Sequence, residues 1–322
     1  MKDLTRRISR SAAILVAVAA TTSCIDEDLS SCPVPQTAAD VEVLYTLQYN
    51  AGDAGFADDG DISSLHLGFW DEPSHLYQER VLDGDALPAD RTFRVTLPPA
   101  NYAHVAMSGC QSQIDGTHTP MPQVVAGVLL SQPEARPDTL DVMTVPSYTG
   151  TLEMDLTTLT EGVRHFEVDL WPRVGRVIVT VTHPDDMTNT RCYVSGDRDG
   201  YYPWTGDWRD NDGLVTDMTP RRDEPDAGTT AFDGYLWPTA SAPDGKGARQ
   251  VTDGGDGWNV YLYTDYGSKV VMHRFNISAP VEAGRVLNVD FNIDHGTGTS
   301  EMGTLVEIDT DWRPGNDYEV DM

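Results

Sequence analysis

Residues 176–182 read RVIVTVT. Every position from Val177 to Thr182 is β-branched, so each side chain is stiff at χ1 and fits a pleated surface better than a helix. The run is short and its apolar residues do not recur at helical spacing, which makes it a strand. The same reading extends in both directions. Upstream, Arg164 to Leu170 sets Phe166, Val168 and Leu170 on one face. Downstream, Cys192–Val194, Tyr235–Leu236, Trp258–Thr264, Lys269–Ile277, Arg285–Ile293 and Thr304–Ile308 give further strands. The earlier part of the chain alternates in the same way. Val41, Val43, Tyr45, Leu47 and Tyr49 share a face, as do Leu65, Leu67 and Phe69, and then Phe93, Val95 and Leu97. Leu76–Val81, Tyr102–Met107 and Thr151–Leu156 complete a first series, while Val124–Leu130 fits a turn of helix or a strand equally. Short strands separated by Gly, Pro, Asn and Asp at about 8–12 residue spacing predict an all-β sandwich or barrel. Two Greek-key β-sandwich domains are expected, over 40–158 and 159–322, with a boundary near 157–162.

The N-terminus is of another kind. Lys2, Arg6, Arg7 and Arg10 precede the uncharged run AAILVAVAA at 12–20, and small residues follow. That is the layout of a secretory signal peptide, and the run is shorter than the roughly 20 residues a membrane-spanning helix needs. Thr21-Thr22-Ser23-Cys24 resembles a bacterial lipobox, with Thr21 where Leu is usual. Residues 1–23 are therefore expected to be a lipoprotein signal peptide and Cys24 the lipidated first residue of the mature chain. The alternative is an ordinary signal peptide cut near Ala20. Asp26, Glu27 and Asp28 resemble the short acidic tag that directs Bacteroidetes lipoproteins to the cell surface; a solvated acidic linker is the other reading. Residues 24–39 make an acidic tether.

The chain carries 51 acidic and 22 basic side chains, a net charge of −29, and loss of residues 1–23 takes it to −32. Such a body cannot hold nucleic acid through phosphate contacts, which require Lys and Arg to displace counterions. Anionic lipid also repels it, so attachment to a membrane has to be covalent. Cys32, Cys110 and Cys192 allow at most one disulfide and leave a thiol over. They form no CxxC and no zinc-spaced pair with His.

Catalytic motifs are missing from the sequence. The eight histidines form no HExxH, and no nucleophile elbow, P-loop or dinucleotide fingerprint occurs. His66, His104 and His165 fall within strand patterns and are expected on polar faces. No enzyme activity, metal or cofactor is expected. The groups Asp53/Asp58/Asp59/Asp61, Asp197/Asp199, Asp253/Asp256 and Asp309/Asp311 do not follow a calcium-loop pattern and read as solvated loops. Asn276-Ile277-Ser278 reads as a chance sequon. Tyr201, Tyr202, Trp204 and Trp208 lie in DGYYPWTGDWRDND (199–212), which shows no strand alternation. These rings either stack on a sugar, pack on a partner, or cover the end of a sandwich.

The order of segments resembles the FimB-type family, the minor fimbrial anchor lipoproteins of Bacteroidales. The likeness runs over the whole mature chain. It is carried by C-x-x-x-D-L-x-x-C-P (Cys24, Asp28, Leu29, Cys32, Pro33), by VEVLYTLQYN (41–50) and LHLGFWDE (65–72), and by FRVTLPPANYAHVAMSG (93–109). HFEVDLWPRVGRVIVTV (165–181) and VEIDTDWRPGNDYEV (306–320) complete it. Ala100 stands where such a turn usually has Gly. The resemblance implies two tandem transthyretin-like sandwiches, residence at the outer membrane through the lipid on Cys24, and a place at the base of a fimbrium. There the chain would accept a donor strand from a fimbrial structural subunit. A surface glycan-binding lipoprotein with the same fold class is the alternative, and it requires Trp204 and Trp208 to form an exposed, co-planar platform.

Overall fold

The computed structural model describes residues 38–48, 55–57, 62, 64–83, 86–109, 119–132, 134–136, 138–158, 162–182, 190–218, 228–239, 258–265, 270–292, 297–300 and 306–309. Cys24, Asp26, Glu27, Asp28, Cys32 and Cys110 lie outside the described residues, as do the expected signal peptide and tether. The strands run in chain order: β1 (Ala39–Leu47), β2 (Ser64–Glu72), β3 (His75–Asp83), β4 (Thr92–Leu97), β5 (Asn101–Ser108), β6 (Leu130–Ser131) and β7 (Glu134–Arg136). Next come β8 (Thr139–Asp141), β9 (Tyr148–Asp155), β10 (Val163–Pro172), β11 (Gly175–Thr182), β12 (Thr190–Tyr202) and β13 (Asp207–Met218). The last are β14 (Thr229–Leu236), β15 (Trp258–Asp265), β16 (Val270–Ile277), β17 (Val286–Asn292), β18 (Thr297–Ser300) and β19 (Val306–Asp309). The described residues contain no α-helix; Val125–Gly127 forms a single 3-10 turn. The chain is all-β.

Three sheets result. One has seven strands in the order β3-β2-β5-β9-β10-β1-β4, one has four in the order β14-β11-β17-β18, and the third runs β19-β16-β15-β12-β13-β8-β7 with β6 also paired to β12. Strand β11, the RVIVTVT run, lies between β14 and β17. Val177, Val179 and Val181 are fully buried, and Ile178 and Thr180 on the other face are partly covered. Burying each of these valines contributes on the order of 1.5–3 kcal/mol.

Two strand assignments differ from the sequence expectation. β10, expected to open the second series, pairs parallel with β1 over eight residues and meets β9 at Trp171 and Pro172. It therefore belongs to the seven-stranded sheet, and the chain passes to the next sheet between Pro172 and Gly175. Conversely, β6, β7 and β8 lie within the first stretch, but β6 pairs with β12, β8 pairs with β13, and β7 pairs with β8. Alternation along a strand reports which face is buried, not which distant strand supplies the ladder. A parallel partner more than 100 residues away leaves no local mark.

Two apolar clusters fill the structure. The first includes Val43, Tyr45, Leu67, Phe69, Trp70, Leu97 and Leu170; the second includes Val177, Val179, Val260, Leu262, Phe275 and Phe291. Phe275 and Phe291 stack with centroids 3.8 Å apart. Tyr201, Tyr235 and Trp237 reach back from later strands into the first cluster, and Val142 reaches forward into the second.

His66 and His104 do not lie on solvent faces: they are 4% and 0% exposed, and only His165 is exposed. His104 stacks on Phe69 with centroids 4.3 Å apart. Its Nδ1–H donates to the Gly68 carbonyl at 2.8 Å, and its Nε2 accepts from the Tyr45 hydroxyl at 3.1 Å. A carbonyl can only accept, so this arrangement fixes the neutral tautomer. Burial lowers the His104 pKa from 6.5 to about 4. Between those values the unfolded chain binds a proton that the folded chain does not. Stability is therefore lost as pH falls from about 6.5 to about 4 and levels off below that. The shift corresponds to about 3 kcal/mol. Urea unfolding at pH 7 and pH 4.5 should show this loss in the wild type and lack it in His104→Gln; equal slopes would rule out His104 as the source.

Gly109 ends β5 with φ of +73°. A Cβ there would stand 2.0 Å from the Pro146 carbonyl oxygen, while the Ser147 hydroxyl donates to the Gly109 carbonyl at 3.1 Å. Neither backbone can retreat without breaking this turn. Gly109→Ala should cost about 3 kcal/mol or more, the left-handed strain adding to the clash, read as a lower denaturation midpoint.

Candidate functional site

Of the four aromatic residues singled out in the sequence, Tyr201 and Tyr202 lie on β12, Trp208 lies on β13, and Trp204 lies in the turn between them. β12 runs through to Tyr202 and β13 starts at Asp207, with the Gly206 N–H donating to the Tyr202 carbonyl at 2.8 Å to close the turn. Two register shifts between β12 and β13, one with extra residues on β13 between Asp210 and Leu214 and one with an extra residue on β12 between Arg198 and Gly200, explain the missing alternation. Bulges re-aim side chains, and here Arg198, Asp199, Gly200 and Tyr201 are buried in succession. Their outer side is covered by β6 and its neighbour: a Cβ on Gly200 would lie 2.8 Å from Leu129.

The rings face inward and are capped by arginines. Tyr201 is 1% exposed and sits opposite Trp208, with centroids 4.7 Å apart and planes tilted by 52°. Trp208 meets Trp237 edge-on at 5.7 Å. The Arg173 guanidinium lies 4.5 Å from the Tyr201 ring centre, and that of Arg198 lies 4.7 Å from the Trp208 ring centre. Both arginines are 4% exposed. A buried cation is costly unless paired or hydrogen-bonded; Arg198 Nε lies 3.6 Å from Asp210 Oδ1, and both guanidiniums donate hydrogen bonds. Arg173 Nε donates to the Thr149 hydroxyl at 2.6 Å, and Arg198 Nη1 donates to the Pro238 carbonyl at 2.6 Å. Asp199 pairs with Arg209 and accepts from Asn211 Nδ2 at 3.1 Å. Tyr202 and Trp204, by contrast, are half-buried around the turn.

This arrangement packs Tyr201, Trp208 and Trp237 against the first apolar cluster. One face of Tyr201 and one face of Trp208 are each taken by a guanidinium from the same chain. Among the described residues, no three of His, Cys, Asp and Glu come together as metal ligands. Cys192 is buried with its thiol pKa raised by desolvation.

A second feature is the pair of strands that end the seven-stranded sheet. β3 and β4 are its two edges. Leu82 of β3 and Phe93 of β4 line a groove of about 330 Å³ together with Ala86, Pro88, Asp90 and Arg94. Phe93 stacks on core Phe69 at 6.3 Å, so the groove opens onto the first cluster. Backbone edges of this kind accept added strands.

No family model matches the chain, and no curated protein matches it. Solved structures do. A solved structure described as a candidate polysaccharide-binding protein from Bacteroides thetaiotaomicron aligns with 11% identity over 85% of this chain and 99% of its own, at a TM-score of 0.54. A candidate adhesin from the same organism aligns with 13% identity over 84% of this chain and 98% of its own, at 0.52. The fimbrial anchor protein Mfa2 from Porphyromonas gingivalis aligns with 11% identity over 84% and 97%, at 0.49. The shared fold rests on the first two, and at these identities the likeness is one of fold alone.

Proposed function

We propose that this chain is a non-enzymatic, lipid-anchored base subunit of a fimbrium at the outer membrane, of the FimB type. The observation that carries the reading is the N-terminal order. A signal-like segment ends at TTSC, and Cys24 stands fifteen residues before Ala39, where β1 begins. A covalently held cysteine would thus be tied by a short acidic tether directly to a folded all-β body. The fold likeness to a protein described as an adhesin supports a surface role. Sandwich domains at 40–158 and 159–322 become, on this reading, two strand systems that exchange β6–β8 and β10. The next subunit would add a strand at an outer edge of β3 or β4, gaining backbone hydrogen bonds and an apolar seat against Leu82 and Phe93.

Two measurements test this. Mass spectrometry of the native protein should find a diacylglyceryl thioether and an N-acyl chain on Cys24. Immunogold labelling should place the protein where fibres meet the cell. An unmodified thiol, or label distributed along the fibres, would refute the reading.

A further inference from the structure

The strand order fixes how tension would travel through this chain. The tether enters β1 at its N-terminal end, so a pull on Cys24 draws β1 backwards along its own axis. Beside it, β10 runs parallel in eight registered pairs, from Asp40 with Val163 to Leu47 with Leu170. β10 ends at Pro172, and the chain then enters β11 at Gly175 in the second strand system. A load held by the second half therefore draws β10 forwards. Parallel neighbours pulled in opposite senses are in shear, and the whole row of inter-strand bonds is loaded at once. The same strands pulled from one end would open bond by bond.

Side chains reinforce the ladder. On the outer face, the Thr46 hydroxyl donates to Glu167 Oε1 and Gln48 Nε2 donates to Asp169 Oδ1, each at 2.9 Å. The Gln48 N–H adds a bond to the Leu170 carbonyl at 2.9 Å. On the inner face, Val41, Val43, Tyr45, Val168 and Leu170 are at most 1% exposed. β1 is also held on its far edge by β4, through pairs from Ala39 with Leu97 to Leu44 with Thr92. Just past β10, Arg173 is pinned to both systems: its N–H donates to the Ser147 carbonyl at 2.8 Å and its guanidinium caps Tyr201.

We infer that the parallel β1–β10 ladder is a force clamp. Tension on the N-terminal tether passes across it into the second half, and the chain between the two strands bears no load until the ladder shears. The biological use of the clamp rests on the anchoring reading above, whereas its mechanics do not.

Single-molecule pulling on the mature chain tests it, with Cys32 and Cys110 replaced by Ser and one handle at the C-terminus. The other handle is placed on Cys24 or, in a Cys24→Ser background, on Asn50→Cys just beyond β1. The first attachment shears the ladder and the second unzips it. From Cys24, rupture should release roughly 400 Å of chain, the span between the clamped strands at about 3.3–3.6 Å per residue. The force should be at least twofold higher than from position 50 at the same loading rate, since forced unfolding reports the barrier and not the equilibrium. Equal forces from the two attachments, or a weaker rupture from Cys24, would overturn the clamp. Fibres that stay attached in a Cys24→Ala strain would refute anchoring and leave this force ratio untouched.

Discussion

Cys24→Ala should move the protein from the membrane fraction to the soluble fraction and shed fibres from the cells. The effect is expected to be near complete, for an energetic reason. Each buried methylene of an acyl chain contributes about 0.8 kcal/mol, so one chain binds marginally and two or more hold firmly. With a mature net charge of −32, the body is repelled by anionic headgroups, and no helix among the described residues is long and apolar enough to cross a membrane. Fractionation with immunoblotting reads the first outcome and electron microscopy of the culture medium the second. Protein that remained sedimentable with membranes in the Cys24→Ala strain would end the lipid account. Substituting Asp26, Glu27 and Asp28 together by Ala should leave the lipid in place and remove only surface exposure, measured as resistance to protease added to intact cells.

The strands were largely legible in the sequence and their partners were not. Alternation at Val41–Leu47 and Phe93–Leu97 marks β1 and β4 because each buries one face more than the other, a local fact, whereas β2 alternates in sequence yet is buried on both faces from Ser64 to Trp70. The parallel pairing of β1 with β10, and the passage of β6–β8 into the sheet of β12 and β13, are properties of the folded chain alone. The aromatic segment failed for a different reason. Its two register shifts destroy the period of two on which strand recognition depends, so DGYYPWTGDW reads as a loop while forming a hairpin. Arg173 and Arg198 gave no sign of their role as ring caps, since an arginine in sequence carries no mark of burial. His104 misled because a histidine among alternating apolar residues looks polar-facing until Tyr45 and the Gly68 carbonyl are seen beside it. The edge groove at Leu82 and Phe93 was beyond reach, because an edge is defined by what does not pair.

Arg176→Ala should be the most damaging single change among the polar groups described. Arg176 on β11 grips Asp233 on β14 with two bonds, Nε to Oδ1 at 3.0 Å and Nη2 to Oδ2 at 2.6 Å, and its Nη1 donates to the Gly55 carbonyl at 2.6 Å. The two side chains are 14% and 15% exposed. Residues 55–57 are seated by this fork and by the Tyr235 hydroxyl, which donates to the Phe56 carbonyl at 2.6 Å. Phe56 is 2% exposed, with Tyr235 and Tyr148 set edge-on to its ring at 5.6 and 6.4 Å. Removing the guanidinium leaves a covered carboxylate without its cation and a carbonyl without its donor. Breaking one side of such a pair costs about 3–5 kcal/mol. Replacing both partners, Arg176→Met with Asp233→Leu, removes the stranded charge and should recover most of that loss, short by the Gly55 bond at about 1–3 kcal/mol. Urea midpoints for the two single variants and the double variant form a cycle. Strong non-additivity marks a desolvated pair that locks residues 55–57 onto β11 and β14. Single losses below about 1 kcal/mol that simply add would mean that solvent screens the pair and that Phe56 is held by its apolar contacts and the Tyr235 bond without help from the fork.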